Sequence, residues 1–213
     1  MSYKTMKIPP CTLVSWKGVY RLSRELARAI RVSGFRPDLV VAIGRGGYAP
    51  TRLVCDFLHL GQLTSIKVEH YVATHKQAEV VIRYPLNTEV RGLNLLVVDD
   101  VNDSGDTLAA VLRYLNTFAP HSVKTAVLHE KSHTTCPVDY FAKRITKWRW
   151  IVYPWAYIED VTSFVRALQP LPRSASEAQS RLRDTHGIRV SRQTLQDVLD
   201  FLPATASPEK TQQ

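Results

Sequence analysis

The chain has 213 residues, 45% of them hydrophobic, with a formal net charge of +9 and three cysteines. That hydrophobic share supports a real core and excludes a wholly disordered chain. Apolar runs such as Leu39–Ile43 suit buried strands and fall far short of the ~20 residues a membrane-spanning helix needs.

Residues 1–10 contain two lysines and no apolar h-region, so no secretory leader is expected. Ser15 can cap a helix whose apolar stripe is Val19, Leu22, Leu26 and Ile30, and Gly34 ends it. Leu39 to Ile43 reads as a strand buried on both faces. The turn Gly44-Arg45-Gly46-Gly47 leads into a helix over about 49–58. Thr64 to Tyr71 alternates like a strand, and residues 72–78 are polar and expected to be mobile. Glu79–Tyr84 and Asn94–Val98 are further strands, 99–107 is a loop, 107–118 a helix, and 123–128 strand-like again. This βαβ rhythm predicts an α/β fold with a mainly parallel sheet flanked by helices.

A helix is expected from after Trp155 to about Leu168, followed by a Pro-rich linker at 169–174. Two short helices around Gly187 fill 175–202, and a disordered tail is expected from Pro203. The expected organisation is one domain over 1–169, a helical extension over 170–202 and a tail over 203–213. The segment 170–213 carries a net charge of only +1, so a surplus of +8 sits in the rest of the chain. A polyanionic small substrate accounts for that, and so does a nucleic acid. Cys11, Cys55 and Cys136 are odd in number and scattered, which points to reduced thiols in the cytoplasm.

One segment concentrates chemistry. The apolar run Leu96-Val97-Val98 ends in Asp99-Asp100, and Val101-Asn102-Asp103-Ser104-Gly105-Asp106-Thr107 follows into a helix. The strand delivers two carboxylates to the sheet edge, where acids can hold sugar hydroxyls. The loop and helix start offer backbone N–H groups for a phosphate. Together they point to a phosphorylated sugar.

This segment is similar to the signature by which type I phosphoribosyltransferases bind phosphoribosyl pyrophosphate. The resemblance covers about residues 15–168 and implies that family's fold. Within the family the chain looks like the 6-oxopurine group, which acts on hypoxanthine, guanine or xanthine. Asp103 matches the aspartate that faces purine N7, and Lys131 matches the lysine that donates to the 6-oxo group. Trp150-Ile151-Val152-Tyr153-Pro154-Trp155 resembles the bacterial xanthine-guanine branch, in which the tryptophan at Trp150 stacks on the base. Trp148 and Trp155 are the other aromatic candidates. Residues 44–47 match the pyrophosphate loop, and the resemblance implies a cis Gly44–Arg45 peptide. The chain departs from the pattern at His70-Tyr71, where a Ser-Tyr pair is usual, and at Ala156, where an aspartate is. Asp106 places a negative charge in the phosphate loop, so its side chain is expected to point away.

The resemblance implies transfer of ribose 5-phosphate to a purine nitrogen, with release of pyrophosphate. Asp99 and Asp100 would hold the ribose hydroxyls, with Mg²⁺ on Asp100. Ser104, Gly105, Asp106 and Thr107 would hold the 5′-phosphate, while Arg45 and Gly46 face the pyrophosphate. Asp103 would take the N7 proton, and Lys131, Trp150 and Ile151 would line the base pocket. The implied partners are the sugar donor, the base and a second copy of the chain, as a dimer or tetramer. No membrane is expected.

Two alternatives were weighed. His129-Glu130-Lys131-Ser132-His133 matches H-E-x-x-H, but that zinc motif needs a helix. On a strand the two histidines stand about 13 Å apart, too far for one ion. The second is a regulator on the same fold that senses phosphoribosyl pyrophosphate and binds nucleic acid. The weak charge of 170–213 argues against it, and so does a complete set of base-site residues.

Overall fold

A computed structural model describes residues 9–71 and 79–202. The segments expected to be mobile (72–78) and disordered (203–213) lie outside the described residues. The chain forms two compact units, Ser15–Trp148 and a second built from Met1–Val14 with Arg149–Gln213.

The first unit opens with α1 (Trp16–Val32), whose N-cap Ser15 hydroxyl accepts the Gly18 N–H at 3.1 Å. Val19, Leu22, Leu26 and Ile30 recur at three- and four-residue spacing and are all buried. A six-stranded sheet follows: β2 (Leu39–Gly44), β3 (Leu63–Tyr71), β4 (Glu79–Tyr84), β5 (Asn94–Asn102), β6 (Ser122–Lys131) and β7 (Tyr140–Ile145). The strand order is β4-β3-β2-β5-β6-β7, and every pair is parallel except β3–β4. All six residues of β2 are buried, as a strand covered by helices on both faces requires. The helices are α1, α2 (Tyr48–Leu58) and α3 (Asp106–Asn116). Leu108, Val111 and Leu115 of α3 pack with Val41, Ile43, Leu95 and Val97. The helices α1 and α2 pack against each other, and each also packs on strands of the sheet.

Three expectations change. β5 continues four residues beyond Val98, pairing Asn102 with Glu130, so Asp99 and Asp100 lie on the strand and not in a loop. α3 begins one residue early, at Asp106. β6 extends through Lys131, so His129 and Glu130 are strand residues. β7 was not anticipated. It is an edge strand whose mixture of aromatic and cationic residues masks its alternation.

In the second unit β1 (Cys11–Leu13) pairs in parallel with β8 (Trp150–Val152). Three helices follow: α4 (Tyr157–Ala167), α5 (Ala175–His186) and α6 (Arg192–Asp200). Ser174 caps α5 by accepting the Glu177 N–H at 3.2 Å, while the Glu177 carboxylate accepts the Arg173 N–H at 2.9 Å, a near-reciprocal capping arrangement. Val161, Phe164 and Val165 of α4 share one core with Ala178, Leu182, Leu195 and Val198. The chain therefore divides at Trp148, and α4 groups with the helices that follow it rather than with the sheet. No helix among the described residues is long and apolar enough to cross a membrane.

Candidate active site

The site lies at the carboxyl edge of the parallel strands, where sheets of this kind bind ligands. β2 and β5 are neighbours, with Ala42 opposite Val98, so the turn after β2 lies next to the acids that end β5. The Gly44–Arg45 peptide is cis, as the resemblance implied. Arg45 is exposed in that turn. A Cβ on Gly46 would come within 2.5 Å of Asp100 Oδ2 and 2.7 Å of its Cγ. Glycine is what allows the carboxylate to lie against the turn.

Asp99 and Asp100 form an interacting pair. Asp99 Oδ1 accepts the Asp100 N–H at 2.8 Å. Burial holds the Asp99 carboxyl well above the usual carboxylate range, and the Asp100 charge pushes it further in the same direction.

Beyond β5 the chain turns at Asp103–Gly105. Gly105 is the N-cap of α3 at φ +101°, and the Ser104 hydroxyl accepts the Asp106 N–H at 3.4 Å. A Cβ at Gly105 would meet the Cys136 backbone nitrogen at 2.6 Å, so both conformation and space require glycine there. A helix start presents N–H groups and a partial positive charge, which suit a phosphate. Asp106 differs from expectation: its carboxylate turns back and accepts the Ser104 hydroxyl at 2.7 Å.

A second loop, after β6, braces this cradle. The Ser104 carbonyl accepts the Thr135 N–H at 2.8 Å and the Thr135 hydroxyl at 2.9 Å. The Asn102 side-chain amide donates to the Cys136 carbonyl at 2.8 Å. The sequence reading missed residues 134–136 because they contact the cradle only through the fold. The one local signal is a run of threonines after a strand, which by itself specifies nothing.

The same region brings Lys131 and His133 to Asp103. Lys131 ends β6, and its ammonium donates to Asp103 Oδ2. The Lys131 side chain is 3% exposed, and the ammonium sits 4.5 Å from the centre of the Trp148 ring. His133 Nε2 lies 2.8 Å from Asp103 Oδ1. Asp103 does not cap α3, whose N-cap is Gly105; it joins β6 to the cradle. Beneath, buried Glu130 accepts the Val138 N–H at 2.9 Å and pairs with Arg144 at 2.6 Å. The other two base-site candidates, Trp150 and Ile151, lie on β8 in the second unit. There the Trp150 side chain hydrogen-bonds Asp160, whose carboxyl is nonetheless raised to about 6, chiefly by burial. Trp155 stacks on Tyr153, with ring centroids 4.8 Å apart. Of His70 and Tyr71 only the backbone is described, at the end of β3.

Residues 12–160 match the family described as the phosphoribosyl transferase domain. The chain belongs to the phosphoribosyl transferase family. Its relatives include a xanthine-guanine phosphoribosyltransferase of Ruegeria sp. (strain TM1040), 33% identical over 67% of this chain and 83% of that protein. Among solved structures it is similar to a purine phosphoribosyltransferase from Pyrococcus horikoshii Ot3 (TM-score 0.61, 29% identity, 68% of this chain and 93% of that one). It is also similar to a hypothetical protein from Neisseria gonorrhoeae with bound ppGpp (TM-score 0.63, 28% identity, 70% and 91%). The family match spans the six-stranded sheet and the acid-bearing end of β5.

Proposed function

We infer that this phosphoribosyl transferase makes purine nucleotides in salvage, moving ribose 5-phosphate from phosphoribosyl pyrophosphate to a purine base with release of pyrophosphate. The observation that carries this reading is the convergence at one sheet edge of the Asp99–Asp100 pair, the start of α3 at Gly105, and the Asp103–Lys131 pair reaching across from β6. The relatives named above are xanthine-guanine and purine phosphoribosyltransferases. The preferred base is proposed to be a 6-oxopurine.

Each residue then has one task. Ser104 to Thr107 hold the 5′-phosphate through backbone N–H groups and hydroxyls. Asp99 and Asp100 hold the ribose hydroxyls, and Arg45 and Gly46 face the pyrophosphate. The transition state gathers positive charge on the sugar and negative charge on the leaving group, so positioning and electrostatics do most of the work. The Asp103 carboxylate takes the proton from purine N7. Lys131 has three donors and spends one on Asp103, which leaves others for a 6-oxo oxygen. Trp150 stacks on the base, and Ile151 lines its edge.

The donor set fits Mg²⁺. Two adjacent carboxyls offer the hard oxygen ligands this ion prefers, and burial with the Asp100 charge raises Asp99 well above the usual carboxylate range. Asp100 would be the protein ligand, as the resemblance implies, with substrate oxygens and water completing the shell. When bound, the ion neutralises charge on the departing pyrophosphate. A homo-oligomer in the cytoplasm completes the reading, consistent with three free thiols.

The deciding experiment measures nucleotide formation from phosphoribosyl pyrophosphate with adenine, hypoxanthine, guanine and xanthine in parallel. Turnover with 6-oxopurines is expected. Turnover with adenine alone would break the Asp103–Lys131 argument.

A further inference from the structure

Asp103 has a cationic or polar neighbour on each of its two oxygens. Lys131 engages Oδ2 and is fixed in place, 3% exposed and under the Trp148 ring. His133 engages Oδ1 at 2.8 Å and is 49% exposed. His133 stands in the turn that follows β6, closed by the Thr134 N–H donating to the Lys131 carbonyl at 3.2 Å. The next residue but one, Thr135, is tied to the Ser104 carbonyl. The turn that carries His133 is thus anchored to the strand on one side and to the phosphate cradle on the other. Its imidazole stands at a set distance from Asp103.

We propose that His133 is a positioning residue for the phosphoribosyl transfer reaction: its imidazole, set against Asp103 Oδ1 opposite Lys131, fixes the orientation of the Asp103 carboxylate that receives the purine proton. The proposal rests on the reading of the reaction given above. A lone Lys–Asp contact leaves the carboxylate free to rotate about its Cβ–Cγ bond. A second contact on the other oxygen restricts that freedom. A carboxylate has about four acceptor sites. Two neighbours leave room for purine N7–H, so His133 steadies Asp103 without blocking the base. His133 also has reason to be a histidine and not another cation. A lysine there would add a second permanent charge beside Lys131, whereas an imidazole can donate while neutral.

The test compares the intact wild-type protein with His133→Leu, His133→Ala and His133→Gln, using phosphoribosyl pyrophosphate and hypoxanthine. Leucine and alanine remove the donor. Glutamine restores an N–H at a similar reach. A misoriented proton acceptor is expected to lower kcat about tenfold to thirtyfold in the first two variants. KM for the sugar donor should stay within about twofold, because Asp103 positions the base and not the phosphate. The glutamine variant should return to within about threefold of wild type. An unchanged kcat in His133→Leu, or a glutamine variant as impaired as leucine, overturns the role of His133 and leaves the reaction standing. Loss of folding in both the leucine and alanine variants, read by circular dichroism, assigns His133 to the fold and likewise overturns it. A wild-type protein that makes no nucleotide overturns both readings.

Discussion

Thr135 donates twice to one oxygen: its N–H and its hydroxyl both reach the carbonyl of Ser104, at 2.8 and 2.9 Å. The loop after β6 thereby supports the turn proposed to hold the phosphate. Thr135→Val keeps the backbone bond and deletes the other. The loss of about 1 kcal/mol of support should raise KM for phosphoribosyl pyrophosphate about fivefold. Steady-state kinetics with saturating base will show it, and an unaltered KM would mean the cup holds its shape unaided.

Asp106 carries a negative charge in the loop proposed to bind a phosphate. Its carboxylate occupies the Ser104 hydroxyl and stands at a helix start where an anion is favourable. A phosphate arriving there meets a like charge. Asp106→Ala is expected to tighten binding of the sugar donor about threefold to tenfold, while giving up roughly 0.5 kcal/mol of helix stability. Titration calorimetry measures the first and thermal melting the second. Weaker binding in the variant would show that the carboxylate assists the phosphate.

Asp103→Asn should fold normally and bind the sugar donor, yet lose about 10²-fold or more in kcat, since an amide cannot take up the proton. The same change removes the charge that Lys131 pairs with, so discrimination between oxo- and aminopurines should weaken as well. Comparing hypoxanthine and adenine turnover in the purified variant checks both effects.

Fluorescence tests the aromatic platform. If Trp150 stacks on the base, nucleotide binding quenches emission, and Trp150→Phe removes most of that signal while Trp148→Phe retains it. The opposite pattern would transfer the role to Trp148, whose ring lies over the Lys131 ammonium.

Acid should weaken the fold through His129. Burial pushes its imidazole down to about 4, helped by the charges of Lys143 and then Arg21. In the unfolded chain it takes a proton near pH 6.5. Between those values the unfolded state binds more protons, so stability falls as pH is lowered. The loss attributable to this group is about 2 kcal/mol at pH 5 relative to pH 7.5. His129→Gln should flatten that part of the dependence in urea titrations at the two pH values. Parallel curves for both proteins would remove His129 as the cause.

The fold and half of the site can be read from the residues, for identifiable reasons. β2 declares itself because a strand buried on both faces must be apolar throughout. α1 does so because its stripe keeps a strict three-four spacing behind a serine cap. The acids and glycines at the ends of β2 and β5 form a contiguous local pattern. What escapes is non-local. The reach of β5 to Asn102 depends on pairing with β6, and pairing draws polar residues into a strand against their own preference. The bracing by residues 133–136 joins segments about thirty positions apart. The backward turn of Asp106 follows from a hydroxyl two residues away.

The shared core of α4, α5 and α6 has a practical corollary. Trimming the polypeptide at the Pro-rich joint after Leu168 would bare the greasy side of α4 that Leu182, Leu195 and Val198 now cover. Such a shortened product should be sticky and short-lived even though the whole sugar-phosphate apparatus lies upstream. The last two helices are a lid over oil, and anyone shortening this enzyme should cut elsewhere.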